Sequence, residues 1–145
     1  METVVSLSIP AILAVAGYLL RRKYIDPVND YRKLRREIAS SLIYYANLIS
    51  NPGSAQKEVL MEASNALRLH ASNLSSCLQV LPTAGILRFL FRIPSHNDLK
   101  EASRELIGLS NGVFGTRDDL VLRLIEFNER RVENVRILLR IKPSR

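Results

Sequence analysis

The stretch YRKLRREIASSLIYYANLI, residues 31–49, decides the fold because its apolar side chains recur at intervals of three and four. This spacing gathers them on one face of an α-helix and leaves charged and polar residues on the other. The pattern predicts an amphipathic helix that begins at Asp26-Pro27, where a capping side chain precedes proline, and ends at Asn51-Pro52-Gly53. Its inward positions are Tyr31, Leu34, Ile38, Leu42, Tyr45 and Ile49.

Two further segments on the C-terminal side show the same period. We expect Ser54 to cap a second helix that runs up to the helix breaker Pro82. A capping box formed by Ser95 and Asp98 predicts the start of a third helix, and Asn111-Gly112 its C-cap. The inward positions of these two helices are Leu60, Ala63, Leu67, Ala71, Leu74, Leu78, Leu81, Leu99, Ala102, Leu106 and Leu109.

A fourth helix follows a second capping box, Thr116 with Asp119, and is expected to stop near Pro143. Its inward positions are Val121, Ile125, Val132, Val135 and Leu139. Four amphipathic helices joined by short connections favour antiparallel neighbours. The sequence therefore predicts an all-α fold with an antiparallel four-helix bundle over residues 26–145.

The N-terminal stretch, residues 3–20, carries no charged side chain and is followed directly by Arg21, Arg22 and Lys23. As a helix it would extend about 27 Å at roughly 1.5 Å per residue, close to the ~30 Å hydrocarbon thickness of a bilayer. We therefore expect a single transmembrane anchor within residues 1–25. A cleaved export signal and an apolar helix of a soluble core are the alternatives.

The cations that follow this stretch predict its orientation, because short loops rich in Lys and Arg stay in the cytoplasm. The N-terminus is expected outside and the bundle inside. This places the chain in an inner or plasma membrane as a single-pass protein.

Charge is distributed unevenly along the chain. In an up-down bundle, residues 21–36, 86–94 and 130–145 meet at one end, and together they hold 15 basic and 3 acidic side chains. The rest of the chain has a net charge of −5, within a total of +7. This split predicts a surface that faces anionic lipid headgroups. The expected membrane-interface residues are Arg21, Arg22, Lys23, Arg88, Phe89, Phe91, Arg92, Arg136, Arg140 and Lys142.

Two other interpretations of this end stay open at the level of sequence. The segment Gly85–Ile93 alternates apolar and arginine side chains, which is typical of an interfacial segment, but its phenylalanines could instead plug the base of the bundle. The charge runs could equally be solvated helix faces.

A protein-binding face is predicted on the fourth helix. Leu120, Leu124 and Phe127 lie off the stripe assigned to the core, so they are candidates for contact with a partner or a second copy. The alternative is that they complete a wide core stripe.

Catalytic and metal-binding patterns are not found in the sequence. His70 lies beside an apolar stripe, His96 follows a helix cap, and Cys77 is the single cysteine, two turns beyond His70. No phosphate-binding loop, zinc spacing or di-iron motif occurs. We therefore expect no enzyme activity, no cofactor and no metal.

These observations predict a membrane-anchored interaction or scaffold protein that acts at the cytoplasmic face, by self-association or by binding a protein. The alternative is an effector that oligomerises into a pore or lesion. Nucleic acid is not an expected partner, because the basic side chains lack interleaved stacking aromatics and a recognisable DNA-binding module.

Overall fold

The computed structural model describes residues 12–115 and 120–142, and within those ranges all regular structure is helical. The all-α class is therefore confirmed. In the described part of the chain, a helical stretch at residues 12–20 and a π-helical turn at Arg21–Ile25 precede four long helices and two short ones. They are α1 (Asp26–Tyr44), α2 (Ala46–Ser50), α3 (Lys57–Val80), α4 (Gly85–Phe91), α5 (His96–Gly112) and α6 (Val121–Leu139).

The predicted transmembrane helix is not supported. No helix in the described ranges is long and apolar enough to cross a membrane. Within the described ranges, the helical residues that precede Arg21 are residues 12–20. Residues 3–11 of the predicted span lie outside the described ranges. The predicted location as a single-pass membrane protein with its N-terminus outside is corrected with it.

The α-helical segment α1 begins at Asp26 with Pro27 in its first turn, as predicted, but it is not the start of a new helix, because the chain is already helical before Asp26. Residues 12–20 are already helical, and Arg21–Ile25 form a π-helical turn in which the Asp26 N–H donates to the Arg21 carbonyl. Pro27 has no N–H to donate, and its ring would crowd the carbonyl one turn earlier. The wider turn ahead of Pro27 lets the helix continue through it.

The four long helices pack as an antiparallel bundle in the order α1, α3, α5, α6, and α6 returns to α1 and α2. The end of each helix lies beside the start of the next, as side-chain contacts between neighbours show. These contacts join Tyr45 to Glu62, Arg68 to Asn111, and Asn128 to both Gly112 and Ile49.

The core is built from the inward stripes that the sequence predicts. Ile38, Leu67, Leu74, Leu106 and Leu109 are among its fully buried side chains. On α6 the predicted inward positions agree less well with the buried residues. Its central inward position holds a polar residue, which a periodic pattern of apolar side chains does not predict. Ile125 and Val132 are half-buried, whereas Asn128 is fully buried.

Several of the sequence signals for helix ends hold within the described ranges. The predicted break at Asn51-Pro52-Gly53 lies directly after α2, which ends at Ser50, and the helix breaker Pro82 lies just beyond α3, which ends at Val80. The Ser95–Asp98 capping box is present with both of its hydrogen bonds. Ser54 does not cap α3, which begins at Lys57 after an extended Gln56. Gly112 is the last residue of α5 rather than a C-cap outside it. The second capping box, Thr116 with Asp119, lies outside the described residues.

Gly112 has a packing role instead. A Cβ at this position would overlap the side-chain amide of Asn128, which lies directly against it. The glycine thereby lets α5 and α6 approach closely enough for Asn128 to bond the Gly112 carbonyl at 3.1 Å.

Candidate functional site: a basic pocket at one end of the bundle

One end of the bundle holds an open cavity of about 750 Å³, which we call the basic pocket. It lies where the first half of α1, the end of α4 and the end of α6 come together. Six of the side chains that line it are cationic. Its lining consists of Tyr31, Arg32, Arg35, Arg36, Ala39, Phe91, Arg92, Arg140, Ile141 and Lys142.

Two of these cations occupy unusual backbone positions. Arg92 follows α4 and Arg140 follows α6, and both are left-handed, with φ of 57° and 55°. They are the only non-glycine residues with positive φ in the described part of the chain. Glycine is the usual residue where a helix ends in this conformation, and a side chain there costs about 1–2 kcal/mol.

The same local turn produces both positions. After α4 the Ile93 N–H donates to the Arg88 carbonyl at 2.9 Å, and after α6 the Ile141 N–H donates to the Arg136 carbonyl at 2.8 Å. Such a bond closes a helix around one left-handed residue, and the apolar residue behind it packs back on the bundle. Both turns therefore bring an arginine to the rim of the basic pocket.

The cations of the pocket are not neutralised by nearby acids. None of the six forms an ion pair with a carboxylate among the described residues, whereas five other basic side chains do. The one hydrogen bond that the pocket's cations make runs from Arg32 Nη2 to the Phe91 carbonyl, at 3.4 Å within the described ranges. The pocket therefore presents concentrated positive charge to solvent.

Tyr31 contributes a polar group to this charged lining. The residue is almost fully buried, and its hydroxyl has no hydrogen-bond partner among the described residues. Burial raises the pKa of Tyr31 to about 12, and the positive charges of Arg35 and Arg140 oppose that rise. The hydroxyl is thus protonated at neutral pH and free to donate.

Arg88, which the sequence predicts as a membrane-interface residue, does not line the basic pocket. Its Nε donates to the Pro82 carbonyl at 2.8 Å and its Nη1 to the Pro94 carbonyl at 2.9 Å. The guanidinium group thereby ties together the two connections that flank α4. Arg88 holds α4 in place instead of adding to the exposed charge.

The apolar side chains of α4 divide between two environments. Ile86, Phe89 and Leu90 are exposed, Phe89 to 87%. Phe91 is half-buried, packs against the core and lines the basic pocket. One face of α4 therefore packs against the bundle and the other is open, and contact of the open face with lipid stays a prediction.

The remaining predicted interface residues do not line the pocket. Arg21, Arg22 and Lys23 are exposed in the π-helical turn, where Arg21 pairs with Asp26 at 3.5 Å. Arg136 is half-buried on α6 and lies 3.9 Å from Glu133.

The predicted protein-binding residues do not form one exposed face. Leu120 and Phe127 are exposed, but Leu124 is half-buried. The Arg130 guanidinium lies over the Phe127 ring at 4.9 Å, so the chain itself covers part of that ring. Their role in binding a partner stays a prediction.

Arg32, Arg35, Arg36 and Tyr31 were not among the candidate site residues. Tyr31 belongs to the core stripe by its spacing, and the three arginines resemble any solvated helix face. Their spacing of three and four residues along α1 was the available signal, since it places them one turn apart on the helix surface. The spacing along α1 alone does not show that α4 and α6 pack beside these arginines.

Ser41, His70 and Cys77 do not line the basic pocket. Ser41 Oγ and His70 Nε2 are 2.8 Å apart between α1 and α3. His70 Nδ1 is buried with no partner among the described residues, and burial lowers the pKa of this histidine. Burial, followed by Asp30, raises the pKa of the Cys77 thiol. The described ranges hold no cluster of three or more acidic, His or Cys side chains suited to a metal ion.

Comparisons of the chain with protein-family models, with curated proteins and with solved structures give no match. The case for function therefore depends on the geometry and charge of the basic pocket.

Proposed function

We propose that this protein is a helical interaction module that docks with the basic end of its bundle on the surface of an anionic lipid bilayer. The observation that supports this most strongly is the set of six cations around one cavity, which form no ion pair within the described ranges and lie beside exposed apolar side chains of α4. The module lies on the surface in this proposal, and no part of it needs to cross the bilayer.

Electrostatics supply the first contribution to docking. A basic side chain near an anionic leaflet contributes about 1 kcal/mol, and guanidinium groups pair with phosphate oxygens through two parallel hydrogen bonds. Because the pocket cations lack carboxylate partners within the described ranges, no internal ion pair has to break when they meet a headgroup.

The exposed face of α4 supplies the second contribution. Ile86, Phe89 and Leu90 would enter the boundary between headgroups and acyl chains, a depth of roughly 5–10 Å for interfacial helices. Arg88 favours this placement, since its two bonds to backbone carbonyls fix α4 beside the pocket.

Vesicle co-sedimentation of the full-length chain tests the proposal. We expect binding to vesicles of phosphatidylcholine and phosphatidylglycerol in a two-to-one ratio, weakening as salt shortens the screening length to about 8 Å at physiological ionic strength. Binding to pure phosphatidylcholine should be weak. Equal binding to both vesicles, or none to either, would contradict the proposal.

Two charge-matched triple variants show whether the basic end is the docking surface. Arg36→Gln, Arg92→Gln and Lys142→Gln together should weaken binding on the order of a hundredfold, from about 1 kcal/mol per charge. The control, Lys57→Gln with Arg104→Gln and Arg123→Gln, removes the same charge from α3, α5 and α6 away from the pocket and should change binding by less than about threefold. Equal loss in both variants would mean that net charge alone acts.

The same vesicles, loaded with a fluorescent dye, test the pore hypothesis. Surface docking leaves the dye inside at protein concentrations that saturate binding. Rapid dye release that requires residues 1–25 would favour the oligomeric pore over the docking module.

A further inference from the structure

The basic pocket is larger than a general electrostatic surface requires. A lipid leaflet attracts cations spread over a flat face, whereas here they surround a concave space of about 750 Å³. Sites for small organic ligands have volumes of roughly 300–1,000 Å³. The volume therefore suits one whole ligand rather than a single phosphate group.

The charge of the lining selects the class of ligand. Six cations and no carboxylate among the described lining residues call for an anion of several charges. They come from three separate parts of the chain, with three on α1, one after α4 and two after α6. A ligand with adjacent phosphate groups could engage all three parts together, because each phosphate offers several acceptor oxygens.

Two further observations point to a ligand inside the cavity. The Tyr31 hydroxyl is buried without a partner in the described ranges, and the strongest charges acting on it belong to Arg35 and Arg140. Tyr31 and both arginines line the pocket. Arg140 and Arg92 also hold left-handed positions that suit glycine, yet each brings a guanidinium group to the rim.

We infer that the basic pocket binds one ligand with two or more adjacent phosphate groups, held by arginine pairs and by a hydrogen bond from the Tyr31 hydroxyl. The ligand is either a free small polyphosphate or the polyphosphorylated headgroup of a lipid. The lipid form rests on the proposed docking function, whereas the free form does not.

Calorimetric titration of the full-length chain with inorganic tripolyphosphate tests the inference. We expect saturable binding of one ligand per chain, at least about tenfold tighter than that of orthophosphate, since more charge-assisted bonds form. Non-saturable binding, or equal affinity for both anions, would overturn it.

Tyr31→Phe separates a ligand-binding role from a structural one. The variant should bind tripolyphosphate about tenfold more weakly, whereas its thermal midpoint without ligand should be unchanged or higher, because a buried hydroxyl without a partner is removed. Arg123→Gln, outside the pocket, should leave the affinity unchanged. Unchanged affinity in Tyr31→Phe, or a lowered midpoint with normal affinity, would contradict the assignment.

Competition on vesicles distinguishes the two sources and the two proposals. Free tripolyphosphate should displace the chain from vesicles that hold a bisphosphorylated inositol lipid more readily than from phosphatidylglycerol vesicles of equal charge. If tripolyphosphate binds but neither vesicle does, the docking function fails and the pocket assignment stands. If phosphatidylglycerol vesicles bind and tripolyphosphate neither binds nor competes, the pocket assignment fails and docking stands.

Discussion

Asn128 is the residue whose role is least evident from the sequence. It occupies the centre of the inward face of α6, where an apolar side chain is expected, and it is fully buried. Its Nδ2 donates to the Ile49 carbonyl at 3.0 Å and to the Gly112 carbonyl at 3.1 Å. These carbonyls belong to the ends of α2 and α5, so one amide ties three helices together at the end of the bundle opposite the basic pocket.

Replacing Asn128 by Ala should destabilise the protein by about 3 kcal/mol. Two buried carbonyls would lose their donor, and each unpaired buried group costs about 1–3 kcal/mol. Urea denaturation followed by circular dichroism measures the change. Asn65→Ala on the exposed side of α3 is the control and should shift the free energy of unfolding by less than about 0.5 kcal/mol.

Gly112→Ala should also destabilise the protein. The new Cβ would overlap the Asn128 amide, and α5 and α6 would have to separate or the amide would have to leave its site. We expect a loss of about 1–3 kcal/mol, typical of overpacking, by the same denaturation. Gly85→Ala has open space around it and should be close to neutral, and a neutral Gly112→Ala would show that the helices are not in close contact.

Helix starts were only partly predictable from capping residues. Ser95 and Asp98 form a complete capping box, because each bonds the backbone N–H of the other. Ser54 has an equally suitable side chain, yet α3 begins three residues later, at Lys57. A capping residue shows where a helix can begin, and the loop from α2, which bonds the Gly53 N–H to the Val113 carbonyl, determines where α3 does begin.

The contrast between these two serines gives a matched test. Ser95→Ala should lower the free energy of unfolding by about 1 kcal/mol, because an N-cap bond to the Asp98 N–H is lost. Ser54→Ala should change it by less than about 0.5 kcal/mol, since that exposed side chain caps nothing. Equal effects in thermal denaturation would contradict the capping assignment.

Helix interiors were more predictable than helix boundaries. The inward stripes of the first three predicted helices agree with the buried residues, because burial of an apolar face leaves a period of 3.6 residues in the sequence. The prediction failed at the N-terminus. A charge-free stretch indicates a span only if it forms one continuous apolar helix of sufficient length, and the described part of it does not.

At the scale of the whole chain, the up-down topology brings basic residues from three distant parts of the sequence together in the basic pocket. Antiparallel packing alone predicts that the start of α1, the α4 segment and the end of α6 meet. The sequence therefore indicated Arg92, Arg140 and Lys142 before any contact was known. The left-handed turns, the buried hydroxyl of Tyr31 and the inward bonds of Arg88 depend on three-dimensional packing, and no periodicity reveals them.

The orientation of the bundle on a bilayer is the central claim, and a polarity-sensitive dye on a single cysteine tests it most directly. In a Cys77→Ser background, Phe89→Cys places the dye on the exposed face of α4, whereas Leu122→Cys places it at the opposite end, where the side chain is also highly exposed. On phosphatidylcholine–phosphatidylglycerol vesicles, we predict that the emission of the dye at position 89 moves to shorter wavelength while that at position 122 stays as in water. A shift at position 122 equal to or larger than that at position 89, or no shift at position 89 on vesicles that bind the chain, would contradict docking through the basic end.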